Sequence, residues 1–125
     1  MDYQENDIAH KIAYGVWIQA IGQFIEAIYV SKLFTVQTQK GKEDLTNEEK
    51  ILFGVWIQAI GQLQEAVGVT QQLSASSEPE IRRAEELTVT GNWLQGVGST
   101  LEAYGGTKEI IERRLGVSPP DYVIP

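Results

Sequence analysis

Glu26, Glu65 and Glu102 occupy equivalent places in three copies of one sequence motif. Carboxylates repeated on separate helices are the raw material of dimetal bundles and of acid–base pairs. A di-iron bundle also needs two Glu-x-x-His pairs, yet the one histidine, His10, stands outside the motif. With no cysteine in the chain, thiolate ligands and thiolate nucleophiles are excluded. The three glutamates are therefore expected to face water or to accept hydrogen bonds from the glutamines beside them, with no metal and no cofactor. Trp17, Trp56 and Trp93 are likewise equivalent. They pose a choice between an aromatic ligand cage and core packing, and aromatic residues at helical spacing point to the core. No G-x-S-x-G elbow, no G-x-x-x-x-G-K-[ST] phosphate loop and no metalloprotease histidine pair occurs. The glycines of GVGSTLEAYGG are in register with those of the other copies, and no strand pattern accompanies them. The expectation is a non-catalytic protein.

The motif reads GVWIQAIGQFIEAI from Gly15, GVWIQAIGQLQEAV from Gly54 and GNWLQGVGSTLEAY from Gly91. Its offsets, 54 − 15 = 39 and 91 − 54 = 37, lie in the range of stacked supersecondary units. Apolar residues recur at three and four from about Glu5 to about Thr35, which predicts a first long helix followed by a QTQKGKED loop. Thr46 with Glu49, and Ser77 with Glu80, are capping boxes that open a second and a third helix, the second ending near Leu73. Pro79 fits a first helical turn. In the third helix, β-branched Thr88, Val89 and Thr90 run into Gly91, which predicts a kink or break. Gly105 and Gly106 then read as a helix end, with Thr107 opening a short fourth helix that closes at Gly116. The prolines of VSPPDYVIP exclude helix from the tail, residues 117–125, which either lays Tyr122, Val123 and Ile124 in an apolar groove or hangs free.

On a helical wheel, Trp17, Ile18, Ile21, Phe24, Ile25 and Ile28 share a broad apolar side opposite Gln19, Gln23 and Glu26. Gly54, Gly61 and Gly68 form a row at seven-residue spacing, as do Gly91, Gly98 and Gly105, and Gly15 and Gly22 share the register. A glycine costs roughly 0.8–1 kcal/mol relative to alanine inside a helix, so the rows imply close helix approach near Gly22, Gly61 and Gly98. Gln19, Gln58 and Gln95 border them and are placed to hydrogen-bond across such a contact.

The fold class is accordingly all-α: one domain, residues 1–125, an antiparallel bundle of three long helices from a threefold repeat, plus the short fourth helix, with the tryptophan faces turned inward. Helix one carries more apolar surface than a three-helix monomer buries, which predicts a homo-oligomer with Phe24, Ile25 and Ile28 as anchors, or else a separate protein partner. A net charge of −7 opposes general nucleic-acid binding and adsorption to anionic lipid. The polar start MDYQENDIAH lacks the pattern of a secretory signal, so a cytoplasmic setting is expected. Residues 12–34 are long enough to span a bilayer, but Gln19, Gln23, Glu26 and Lys32 interrupt them. A membrane-active protein with its Trp/Ile side toward lipid is the alternative, and a carrier of small apolar ligands a third reading.

The pattern G-x-W-[IL]-Q-[AG]-[IV]-G-x-x-x-E-A, carried by residues 12–28, 51–68 and 88–106, resembles that of small repetitive proteins of Bacillus relatives classed as a domain of unknown function. The resemblance implies a Gram-positive bacterial source and no catalytic residue. The helical-hairpin secretion substrates with a W-x-G turn differ, because here the order is G-x-W and lies inside a helix.

Overall fold

The computed structural model describes residues 2–116, so the expectation for Tyr122, Val123 and Ile124 lies outside the described residues. Three helices make up the described residues: α1, Tyr3–Gln39; α2, Thr46–Ser74; and α3, Glu78–Arg114. Local chemistry sets their ends. The Asp2 carboxylate accepts from the Glu5 N–H at 2.8 Å and caps α1, and Gly41 at φ +80° turns the chain out of it. Ser77 caps α3 as expected, accepting from the Glu80 N–H, while the Glu80 carboxylate reaches back to the Ser76 N–H at 3.0 Å. The start of α2 differs from expectation. Leu45 is its N-cap and no side chain caps it, and the Asp44 carboxylate takes the Thr46 N–H at 3.0 Å instead.

α3 runs unbroken past Gly91, Gly105 and Gly106 to Arg114, so the expected break and separate fourth helix are absent and Thr107 lies within α3. Packing offsets the poor helix propensity of this stretch, because α2 lies along the whole glycine row. The helix closes at Leu115, followed by Gly116 at φ +75°.

α2 is the middle helix: α1 packs on one side of it and α3 on another, while the backbones of α1 and α3 do not approach each other closely among the described residues. The result is an antiparallel three-helix bundle left open along one side. The α1–α2 contact is built from small residues. Ala13, Ala20 and Ala27, again seven apart, are buried, as are Ala59 and Ala66 opposite. The core cluster is Ala27, Val30, Ile51, Val55 and Ala59, walled by Phe24, Leu33, Leu52 and Trp56.

The α2–α3 contact is closer still. A Cβ on Gly54 would stand 2.5 Å from the Gly98 carbonyl oxygen and 2.7 Å from the Glu102 amide nitrogen. One on Gly98 would stand 2.5 Å from the Gly54 oxygen, and Gly61 and Gly91 face each other in the same way at 2.6 Å. Gly68 meets Ala84 and Thr88, and Gly105 meets Asn47 and Ile51, so each step of seven along one helix is matched on the other. Backbone touches backbone along this seam. The glycine penalty in helix propensity is thus offset by dispersion contacts that no side chain interrupts.

Candidate functional site

The three motifs meet through their polar stripes. Gln58 Nε2 donates to Glu102, and Gln95 Nε2 donates to Glu65 Oε1 at 3.2 Å, both across the α2–α3 seam. Gln62 Nε2 reaches Gln19 Oε1 on α1 at 3.0 Å and Glu65 Oε1 at 3.1 Å, and Gln23 donates to Glu26 at 3.0 Å. These bonds form a ladder across all three helices, in which each of the equivalent glutamates accepts from a glutamine. Their job is to satisfy polar groups at close-packed backbones. Burial pushes the Glu102 carboxyl above the usual range, with Glu26 adding repulsion, although the Gln58 bond opposes the rise. Among the described residues, no group of three or more His, Asp or Glu side chains is gathered to hold a metal.

The expectation that all three tryptophans turn inward is overturned. Trp17 Nε1 donates to Thr70 Oγ1 and Trp56 Nε1 to Ser31 Oγ, both at 2.8 Å, so these two are half-buried on the α1–α2 contact. Trp93 is 74% exposed. The physical reason lies in the glycine rows: they place α3 against α2 on the glycine side, and the Trp93 side of α3 is then left facing away. The three indoles do not converge, so they form no cage. Of the repeat-packing residues, Gly61 and Gly98 lie in the seam, whereas a Cβ added at Gly22 or at its companion Gly15 would meet nothing within 4 Å.

The expected interface anchors divide. Phe24 belongs to the chain's own packing, its ring edge-on to Trp56 with centroids 6.0 Å apart. Ile25 and Ile28 are exposed, together with Ile18 and Ile21 on α1, Phe53 and Ile60 on α2, and Trp93, Val97 and Tyr104 on α3. Helical phase puts Phe53 and Ile60 on the side of α2 turned away from α1, and Trp93, Val97 and Tyr104 on the side of α3 turned away from the polar ladder. Trp93, Gly96, Val97 and Tyr104 line an open apolar groove along α3. The molecule thus pairs the glutamine–glutamate stripes of α2 and α3 with each other, leaves Gln19 of α1 exposed, and presents much of its apolar surface outward.

A second polar cluster lies at the α1–α2 loop, and nothing in the repeat signalled it. Lys42 Nζ pairs with Glu48 and, at 3.1 Å, with Glu109 near the end of α3; Asn47 Nδ2 donates to Glu112 at 2.7 Å and Glu109 at 3.3 Å. Burial would lower the Lys42 pKa, but its bonds to the two carboxylates carry it above the usual lysine value. Burial raises Glu48 in spite of Lys42, whereas Lys42 and Asn47 hold Glu109 below the usual range in spite of burial. The cluster ties the loop and the start of α2 to α3. His10 stands apart from it, its Nδ1 2.8 Å from the Asn6 carbonyl oxygen.

The missed partners of Trp17 and Trp56 did leave a trace. Ser31, Thr70 and Thr107 occupy equivalent places beyond the three motifs, a hydroxyl residue in each copy.

The model of a family of unknown function (DUF6944) matches residues 49–117, from the first turn of α2 through the end of α3, and so takes in the glycine seam. No curated protein and no solved structure matches the chain.

Proposed function

We propose that this chain, which belongs to that family, is a non-catalytic assembly module that associates with further copies of itself through the apolar side chains of α1. One comparison of equivalent residues carries the reading. Ile57 and Leu94 flank the α2–α3 seam and are half-buried there, while Ile18, the same motif position on α1, is 69% exposed. Ile25 corresponds to Gln64 and Leu101, both half-buried, and is 53% exposed. Fully burying an isoleucine is worth about 1.5–3 kcal/mol, so a face carrying several of them gains from any surface that covers it. The proposed setting is the cytoplasm of a bacterial cell, although a chain without cysteine is suited to a reducing and an oxidising compartment alike. The test is the unfolding midpoint as a function of protein concentration. Association stabilises the folded state by mass action, so the midpoint rises with concentration; a midpoint that stays fixed over a hundredfold range refutes the reading.

The outward placement of Trp93, Tyr104 and the isoleucines favours a second reading, adsorption to a lipid surface. No helix among the described residues is long and apolar enough to cross a membrane, so this reading is of a peripheral protein. Cosedimentation with phosphatidylcholine vesicles supports it; protein that stays in the supernatant excludes it.

A further inference from the structure

We propose that two copies of the chain pair through α1, antiparallel about a two-fold axis, with Gly15 of each opposite Gly22 of the other, so that the dimer repeats the α2–α3 seam. This rests on the assembly reading and names its contact.

The first support is internal symmetry. Trp17→Thr70 and Trp56→Ser31 are the same bond made twice, with donors 39 residues apart (56 − 17) and acceptors 39 apart (70 − 31). The bonds Gln23→Glu26 and Gln62→Glu65 match at 3.0 and 3.1 Å, as do Ser31→Ala27 and Thr70→Ala66, both at 2.8 Å. α1 and α2 are therefore related by an approximate two-fold axis. That operation carries Gly54 and Gly61 onto Gly15 and Gly22. α3 covers the first pair, and nothing lies within 4 Å of the second.

The second support is self-complementarity. In the α2–α3 seam the first motif glycine of one helix meets the second of the other, Gly54 with Gly98 and Gly91 with Gly61. Each motif glutamine meets the other helix's motif glutamate, Gln58 with Glu102 and Gln95 with Glu65. Both relations are reciprocal, so one motif satisfies them against its own copy. On α1 they set Gln19 opposite Glu26 of the partner subunit, twice. Gln19 Oε1 already accepts from Gln62, which leaves its amide hydrogens to donate outward. Ile18 and Ile25 would be covered as Ile57, Leu94 and Leu101 are. One step of seven beyond the glycines stand Ile8 and Tyr29, exposed and facing each other in this register, so the narrow stretch is two glycine pairs long and ends on apolar side chains. α3 is not the occupant, because its own row is spent on α2.

The test is Gly22→Leu, since the folded monomer has open space for that side chain and the proposed dimer has none. Wild type is expected to dimerise, and Gly22→Leu to associate at least about 100-fold more weakly while keeping its helicity and unfolding, in dilute solution, at a midpoint no lower than that of wild type. Ile18→Cys, close to the proposed axis and the chain's sole thiol, is expected to oxidise to a covalent dimer, and Val97→Cys on α3 is not. A wild type that associates while Gly22→Leu associates equally well, or Ile18→Cys and Val97→Cys cross-linking alike, overturns the seam and leaves self-association standing. A wild type monomeric at every concentration overturns both.

Discussion

Gly96 and Gly98 stand two residues apart on α3, and alanine is expected to act in opposite directions at them. At Gly96 nothing lies within 4 Å of an added Cβ, so Gly96→Ala changes helix propensity alone and stabilises by about 0.8–1 kcal/mol. At Gly98 the Cβ would meet the Gly54 carbonyl oxygen at 2.5 Å and the Gln58 amide nitrogen at 2.7 Å, both in the backbone of α2. Real Cβ atoms keep beyond 3.0 Å, and a backbone cannot swing aside as a side chain does, so the helices must separate. Overpacking costs about 1–3 kcal/mol in ordinary cores, and here separation also loosens the matched contacts at Gly61 and Gly91. Setting that against the same propensity gain leaves Gly98→Ala destabilised by about 1–2 kcal/mol, and the two variants about 2–3 kcal/mol apart. Urea unfolding followed by far-UV circular dichroism, at one low protein concentration, measures the gap. If Gly98→Ala is as stable as Gly96→Ala, the backbone seam does not hold α2 to α3.

Lys42→Met keeps an apolar stem but removes the cation that Glu48 and Glu109 share, and is expected to lose about 3 kcal/mol in the same denaturant assay. Because the folded Lys42 pKa is raised, its contribution is complete below the ordinary lysine value of 10.5 and fades only as pH climbs through the higher folded value, so the deficit should persist across neutral pH. Glu102 has the raised carboxyl, whose favourable contribution is complete below the ordinary value of 4.5 and lost as pH rises through the folded one. Glu102→Gln, which keeps an acceptor for Gln58, should therefore melt above wild type at pH 7, with the gap closing toward pH 4; a constant gap in thermal scans contradicts this. Trp56→Phe removes the donor to Ser31 Oγ and should cost about 1 kcal/mol or more, whereas Trp93→Phe at the equivalent motif position should change monomer stability by under about 0.5 kcal/mol.

The helices were largely legible because the apolar period and the Ser77 cap are local signals. The continuity of α3 was not. Thr88, Val89, Thr90 and Gly91 oppose helix locally, and what holds them is α2, which a local reading does not contain. The glycine rows and bordering glutamines announced a close contact, and Gln58→Glu102 and Gln95→Glu65 are that contact. For Trp93 the wheel points the wrong way. A hydrophobic wheel ranks tryptophan above glycine for the interior, but it does not weigh the dispersion gained when two bare backbones touch. Lys42, Glu48 and Glu109 come from the loop, α2 and α3, and no spacing in the chain links them.

Self-association is the claim on which the functional account rests, and the solution mass from light scattering over a concentration series tests it most directly. The account predicts a mass that rises toward twice the 13.9 kDa of the chain and falls back to 13.9 kDa on dilution or in Gly22→Leu. A mass fixed at 13.9 kDa for the wild type up to the highest soluble concentration contradicts it.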